Sequence, residues 1–327
     1  MDVLVIVLDN GLSKAALITV DAGMMPTSFF TRVTIKIRSQ FGISRENILI
    51  SATHSHSPPF IGGGLRPVAN GAIDPYTESV ENKIMTAIAQ SVQQLIPATI
   101  GYHTGISFIK MNRDVIDPDT RLWTQGLNYD CNSDKTVAVL TISSLTGEPI
   151  AVYINYAMYA NDMFLNGVIS ADTQGVTCEY IEKYYLHKMN ALWSSGAAGD
   201  QNPMYSQPMF DVNQVQINAV LAKHKAKETN EAIFFLFADG AAGIKVDPDM
   251  LQSQSDMISS TGQFFGWASI EGYEIYKIEI NRAYDPGPSG YYQLSGPHKN
   301  HCGPQSCSGN LCRRRSSSSP AWYADAE

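Results

Sequence analysis

Apolar positions recur along most of this chain in two rhythms, a near-continuous or alternating run typical of strands and a 3.6-residue period typical of helices. "DVLVIVLD" and "AALITVD" flank Asn10-Gly11, a pair that tolerates the positive φ angles of a tight turn, so they predict a β-hairpin. Ser28 to Gln40 follows the helical period, and "NILISAT" is the next buried strand. Asp74 to Leu95 is helical again, with Pro75 suited to a first turn and Pro97 marking the stop. "TVAVLTI" and "PIAVYINYA" are strands joined by a "TGE" turn. Asp172 to Lys188 reads as a helix, "ALWSSGAAGD" as a strand running into a small-residue loop, and Gln214 to Lys227 and Met257 to Tyr276 as further helices. Strands and helices in this alternation predict an α/β fold: mixed, mostly buried sheets flanked by helices in a layered sandwich.

The rhythm stops near Tyr284. Beyond it the chain is rich in Gly, Pro, Ser and Cys and has no periodic apolar face, so it cannot bury enough surface to offset the entropy of ordering. The expected organisation is one domain over residues 1–283 and an irregular tail over 284–327. His298, His301, Cys302, Cys307 and Cys312 give that tail soft-ligand chemistry, but without the C-x-x-C spacing of a structural zinc site. The alternatives there are an unusual metal site and a simply irregular end.

Charge and composition narrow the function. With 327 residues, 44% hydrophobic, the chain can bury a sizeable core, and its formal net charge of -8 argues against a nucleic-acid partner. No stretch reaches the roughly 20 apolar residues of a spanning helix. The opening "MDVLVIVLDNG" lacks a basic start and a small-residue cleavage site, so it reads as a strand rather than a signal peptide. Five cysteines leave at least one thiol unpaired within a monomer.

The candidate chemistry begins at "SATHSHSPPFIGGG". If the strand continues through them, His54 and His56 lie two residues apart on one face. Neutral imidazole is a common zinc ligand, and the glycines that follow allow close backbone approach to a ligand. Two hydrogen-bonded surface histidines are the bland alternative. "MNRDVIDPD" places Arg113 just after a strand, where a surface ion pair is the alternative role. "NGVISAD" ends at Asp172, positioned to cap the next helix. "GAAGDQNP" sets Asp200, Gln201 and Asn202 behind a glycine at another strand end, as site residues or as turn formers.

Taken in order, these stretches resemble the neutral/alkaline non-lysosomal ceramidase family. "NILISATHSHSPP" is similar to its "T-H-T-H-S-G-P" signature, "MNRD" and "SDKTVAVLTI" to "N-R-S" and "V-D-K-x-x-x-x-L", "VISADTQG" to "L-I-S-G-D-N-K-G", and "GAAGDQNP" to "N-V-G-D-V-S-P". The resemblance runs from about Val3 to about Tyr276. It implies the family's N-terminal catalytic domain, incomplete relative to the family, and a zinc-activated water that splits ceramide into sphingosine and a fatty acid. Zinc serves such chemistry by lowering the pKa of its water to about 7 and polarising the carbonyl. The resemblance also implies a lipid amide substrate at a membrane surface and an extracellular or secretory location. The family's first zinc histidine falls on His54, its substrate-side histidine on His56, and its substrate-binding arginine on Arg113.

Two positions depart from the pattern. The family's second zinc histidine falls on Tyr159, whose hydroxyl is then expected within coordination reach of a metal held by His54. The serine of "G-D-V-S-P" falls on Asn202, which can position a group but cannot act as a nucleophile; Asp200 precedes it as in the family. The family's remaining ligands, a glutamate and a tyrosine, come from a later part of a longer domain, and Glu271, Glu274 and Tyr276 do not match their context. Two functions follow as alternatives: a zinc-dependent amide hydrolase, or a catalytically impaired relative acting as a binding or assembly subunit. "PMYSQPMF", Pro203 to Phe210, is an apolar loop that could face a lipid chain or the neighbouring subunit of a homo-oligomer, or pack beneath itself.

Overall fold

Two sheets whose strands are apolar on both faces pack against each other, and this sets the architecture. The computed structural model describes residues 2–63, 73–163 and 169–204, with single positions and short runs between 218 and 269. The first sheet has the order β1-β2-β3: β1 (Val3–Asp9) and β2 (Lys14–Val20) form the expected antiparallel hairpin, and β3 (Ile48–Ala52) runs parallel to β2. Helix α1 (Thr27–Phe41) connects β2 to β3 and α2 (Pro75–Gln93) follows. The second sheet has the order β4-β7-β8-β9, built from β4 (Ala98–Ile106), β7 (Thr136–Ser144), β8 (Pro149–Tyr156) and β9 (Asn190–Ser195). Its β8–β9 pair is parallel and is connected through α3 (Asp172–Tyr184). A small third sheet, β10-β5-β6, joins β5 (Lys110–Ile116), β6 (Trp123–Asn128) and β10 (Gln201–Pro203).

The two-residue period of the strands separates three cores. Val3, Val5 and Val7 of β1 and Ala16, Ile18 and Val20 of β2 face Phe29, Val33 and Ile37 of α1 and Val80, Ile84 and Ile88 of α2. The alternate residues Leu4, Ile6, Leu8 and Leu17 meet Leu140, Ile142, Ala151, Tyr153 and Leu192 between the sheets. On the far face of the second sheet, Val152, Ile154, Tyr156 and Trp193 pack against Ile181 and Phe265. The layers are therefore helix, sheet, sheet, helix, as the alternation in the sequence leads one to expect. Thr19 Oγ1 donates to the Trp193 carbonyl (2.9 Å) and Ser195 Oγ to the Thr53 carbonyl (2.8 Å), tying the two sheets together beside the ends of β3 and β9.

Helix ends follow local chemistry. Asp74 caps α2 by accepting from the Thr77 N–H (2.8 Å), and α1 stops at Gly42, whose φ of 68° few other residues adopt cheaply. Fully buried Glu81 on α2 receives Arg32 and Lys36 from α1, each at 2.6 Å, so the two helices are clamped by one carboxylate.

Several sequence expectations need correction. β4 and β6 were not anticipated, because glycines and polar residues interrupt their apolar pattern. Arg113 lies within β5 rather than after a strand, and Gln201 and Asn202 pair with β5 rather than making a turn. Asp172 is not a cap. It is the first residue of α3, with φ +62°, and its buried carboxylate accepts from the N–H groups of Met163 (3.0 Å) and Thr173 (2.8 Å). Buried Asp162 lies against it and accepts from Thr173 Oγ1 (3.0 Å). Of the span expected to be helical from Met257 to Tyr276, residues 257–263, 265, 266 and 269 are described and helical; residues 205–210 of the apolar loop, most of 214–227, Glu271, Glu274, Tyr276 and the tail lie outside the described residues.

Glu81→Ala should lower stability by about 2 to 3 kcal/mol, because it strips two cations of their shared buried partner; urea unfolding checks this, and an unchanged midpoint would show that the clamp contributes nothing. The two aspartates make a pH prediction. Burial, with the neighbouring acid second, pushes Asp162 well above the carboxylate range, and burial raises Asp172 to about 6. In that window the native state binds more protons than the unfolded chain, so their contribution to stability is present below pH ~4 and is lost as pH rises through about 6 and beyond. Asp162→Asn keeps the hydrogen bond and removes the charge. Its stability relative to wild type should therefore improve between pH 5 and pH 8, measured as a difference in urea midpoints.

Candidate active site

The site forms where β3, β8 and β9 end. Past Ala52 the chain does not continue as a strand. His54 turns it with φ +63°, in the left-handed region that costs a non-glycine residue roughly 1 kcal/mol. Ser55 then makes a parallel bridge to Ala160, and the His56 N–H donates to the Ala160 carbonyl (2.9 Å). Ser55 Oγ donates to the Ser170 carbonyl (2.7 Å) and Ser57 Oγ to the Met163 carbonyl (2.8 Å). The histidine loop is thus stitched to the segment after β8. The expectation that His54 and His56 share a face because a strand runs through them fails, but the turn brings their rings together by another route. Their Nε2 atoms are 3.4 Å apart and their centroids 4.9 Å, edge to face.

Tautomers follow from the partners. His54 Nδ1 lies 2.6 Å from the Gly23 carbonyl, which can only accept, so Nδ1 carries a proton and the lone pair of the neutral ring sits on Nε2. His56 must then donate from its own Nε2. Burial, followed by the charges of His54 and Arg113, lowers the His56 pKa to about 4, so its ring is neutral at pH 7. Gly23 was not anticipated as a site residue; the signal is that "DAG" directly follows β2, the parallel neighbour of β3.

Tyr159 closes the cluster. Its N–H donates to the Gln201 carbonyl (2.9 Å), Gln174 Nε2 donates to its carbonyl (3.2 Å), and its ring lies 4.5 Å from His54 and 5.2 Å from His56. The Arg113 guanidinium stacks 4.3 Å above that ring. Its Nη2 donates to the Tyr159 hydroxyl (3.4 Å) and its Nη1 to Asn202 Oδ1 (3.3 Å). Main-chain pairing fixes the arrangement: the Arg113 N–H donates to the Asp200 carbonyl (2.8 Å). The Asp200 carboxylate accepts from Asn112 Nδ2 (2.7 Å) and Gln201 Nε2 (2.9 Å). His54, His56, Tyr159, Arg113 and Asn202 therefore converge, while Asp200 supports β5 and β10 from beside them.

Lys110, also unanticipated, is fully buried two strand positions before Asn112. Its ammonium lies 5.0 Å from the Tyr156 ring centroid and donates to Gln201 Oε1 (3.4 Å); Ser133 Oγ donates to the same oxygen. Burial lowers its pKa to about 8. A lone lysine in "FIKMN" was its only trace in the sequence.

The donor set can be tested against zinc. Ligands 2.0–2.1 Å from a tetrahedral zinc lie roughly 3.3 Å from each other, close to the 3.4 Å between the two Nε2 atoms. The bond from His54 Nδ1 to a carbonyl is the orientation that zinc-binding histidines use. These two imidazoles fit the ion. The third position is different, because the Tyr159 hydroxyl is held by the Arg113 cation, and the described residues contain no group of three or more His, Cys, Asp or Glu that could hold a metal. No described helix is long and apolar enough to cross a membrane.

Comparison with known proteins gives this cluster a lineage. The family described as neutral/alkaline non-lysosomal ceramidase, N-terminal, matches residues 4–231, which contain every residue of the cluster. Neutral ceramidase B of Dictyostelium discoideum is 27% identical over 183 residues, covering 54% of this chain and 26% of the relative. Neutral ceramidase of Drosophila pseudoobscura pseudoobscura is 22% identical over 237 residues, covering 68% and 34%. The chain thus spans between a quarter and about a third of the length of these curated relatives. A solved structure described as ceramidase complexed with C2 shares the fold over 60% of this chain and 32% of its own, with a TM-score of 0.50 and 20% identity. By the extent of the family match, the chain belongs to the neutral/alkaline non-lysosomal ceramidase family, through that family's N-terminal domain.

Proposed function

We propose that this chain carries the histidine half of a ceramidase-type amide hydrolase centre, acting on N-acylsphingosine-like lipids with the help of zinc. The observation that supports this best is the convergence of His54, His56, Arg113, Tyr159 and Asn202 from four separate stretches of chain. His54 would hold zinc through Nε2, and His56 Nε2 is placed to hold it as well or to hydrogen-bond beside it. Zinc, when bound, would polarise the amide carbonyl and lower the pKa of its water. His56, with its charged form disfavoured, serves as a neutral hydrogen-bonding group rather than as a general base at pH 7. Arg113, fixed by Asn202 and Tyr159, orients the amine half of the substrate. Asn202 acts by positioning Arg113 and not as a nucleophile.

A second reading has its own support. With Tyr159 where the family resemblance puts a zinc histidine, and Arg113 stacked on it, the centre offers two good nitrogen ligands and a guarded hydroxyl. Such a site would bind a lipid amide without turning it over.

Zinc content and hydrolysis of N-lauroylsphingosine, measured on the same preparations, separate the two readings. On the hydrolase reading the wild type binds stoichiometric zinc, releases laurate, and loses both on His54→Ala. On the binding reading zinc is substoichiometric, and Tyr159→His, which supplies an imidazole without new backbone, raises zinc affinity about tenfold or more. If neither protein takes up zinc at saturating supply, the metal-hydrolase proposal is wrong.

A further inference from the structure

Arg113 is a half-buried cation with no anion. Among the described residues no carboxylate lies within ion-pair distance of it, whereas Arg32 and Lys36 share Glu81, Lys14 meets Asp9 and Lys183 meets Glu179. The nearby acids are otherwise engaged. Asp200 accepts from Asn112 and Gln201, and Asp162 and Asp172 are buried against one another at the start of α3. Asp114, the next residue along β5, is exposed and makes no ion pair with Arg113. The two contacts Arg113 does make are to neutral oxygens, at 3.3 and 3.4 Å, longer than the 2.7–2.9 Å of charge-assisted bonds. A guanidinium has five N–H donors in a planar fork. One each on Nη1 and Nη2 is used, which leaves a donor on both and the one on Nε without a partner among the described residues. The contact with the Tyr159 ring, 4.3 Å away, helps to hold the fork in place, so less entropy would be lost when an anion is gripped.

We infer that Arg113 is an anion-binding subsite, and that the amide taken up here carries a carboxylate or phosphate on its amine half. The inference rests on the amide-hydrolase reading for the amide itself and adds the charge of the molecule that bears it. An N-acyl amino acid and an N-acylsphingosine phosphate both have this chemistry. Each would set its anion in the Arg113 fork with the acyl amide toward the two histidines. Nothing in a neutral hydroxylated headgroup would complete the fork equally well, since a partly desolvated guanidinium gains most from a bidentate anion.

Calorimetric titration of the full chain, without added zinc, tests this with two matched pairs: N-lauroylglycine against its methyl ester, and N-lauroylsphingosine 1-phosphate against N-lauroylsphingosine. The anionic member of at least one pair should bind tenfold or more tighter, and which pair responds distinguishes carboxylate from phosphate. The preference should weaken with added salt. Arg113→Gln should abolish it, so that the two members of each pair bind alike. Arg113→Lys, which keeps the charge but not the fork, should retain only part of it and serves where the glutamine variant does not fold. Equal affinities within both pairs, no binding of either anionic member, or a preference that survives Arg113→Gln would each overturn the inference. Because these are binding measurements, an anionic preference without turnover would count against the hydrolase reading alone. Turnover with no preference would count against the inference alone.

Discussion

One short parallel bridge, Ser55 to Ala160, decides whether there is a site at all. β3 belongs to the first sheet and β8 to the second, and left to themselves their loops would leave the molecule independently. The bridge, with the His56 N–H on the Ala160 carbonyl, joins the loop after β3 to the segment after β8. Ser55 has no exposed surface and uses its hydroxyl on the Ser170 carbonyl, so the junction is also tied to the approach to α3. The left-handed backbone of His54 is held by what surrounds it. Its ring is bonded to Gly23 behind, and Ser55 is bonded to Ala160 ahead. Backbone in that region persists only where the surroundings over-determine it, and strain of this kind is commonest at functional sites.

The cluster is built around two imidazoles, a phenol and one guanidinium, and magnitudes say what that favours. A guanidinium stacked on an aromatic ring gains about 0.5–2 kcal/mol, the upper end only when desolvated. Hydrogen bonds to charged partners are worth roughly twice a neutral one. Arg113 is thus held firmly enough to be positioned, yet its present partners satisfy it less fully than an anion would. The same positive charge helps to keep His56 neutral, which suits a ligand or a hydrogen-bond donor. Behind the cluster, the Asp162–Asp172 pair works against stability at neutral pH. Its cost is set against the hydrogen bonds that Asp172 makes to Met163 and Thr173, which fix the turn into α3.

Much of the frame was legible because its strands are buried on one or both faces. β1, β2, β3, β7, β8 and β9 are runs of apolar residues that few other structures would accommodate, and Asp74-Pro75 announces a helix start. β4 and β6 were not legible for the opposite reason. Ile100, Tyr102, Ile106 and Trp123 are exposed and interleaved with glycine and polar residues, so the period carries no burial signal. At the site, His54, His56, Arg113, Tyr159 and Asn202 were all singled out from order along the chain, but their geometry was not. The sharing of one face was expected from an extended strand, and it comes from a left-handed turn. Gly23 contributes a carbonyl, a group every residue possesses, so no residue type could mark it. Lys110 showed only as one charged letter in an apolar run, whereas its partner, the Gln201 side chain on the neighbouring strand, lies 91 residues away along the chain.

Tyr159 and Asn202 act on one group, the Arg113 guanidinium. Asn202 Oδ1 accepts from one end of the Arg113 fork and the Tyr159 hydroxyl from the other, with the phenol ring beneath the plane. A serine at 202 would have a shorter reach to Nη1, and an imidazole at 159 would offer a smaller ring and a nitrogen in place of the hydroxyl. Either replacement alone would leave the guanidinium held at one end and free to swing. Together the two side chains make a socket for an arginine. The site therefore fixes a cation beside the histidines, and its chemistry is to be sought in what that cation holds.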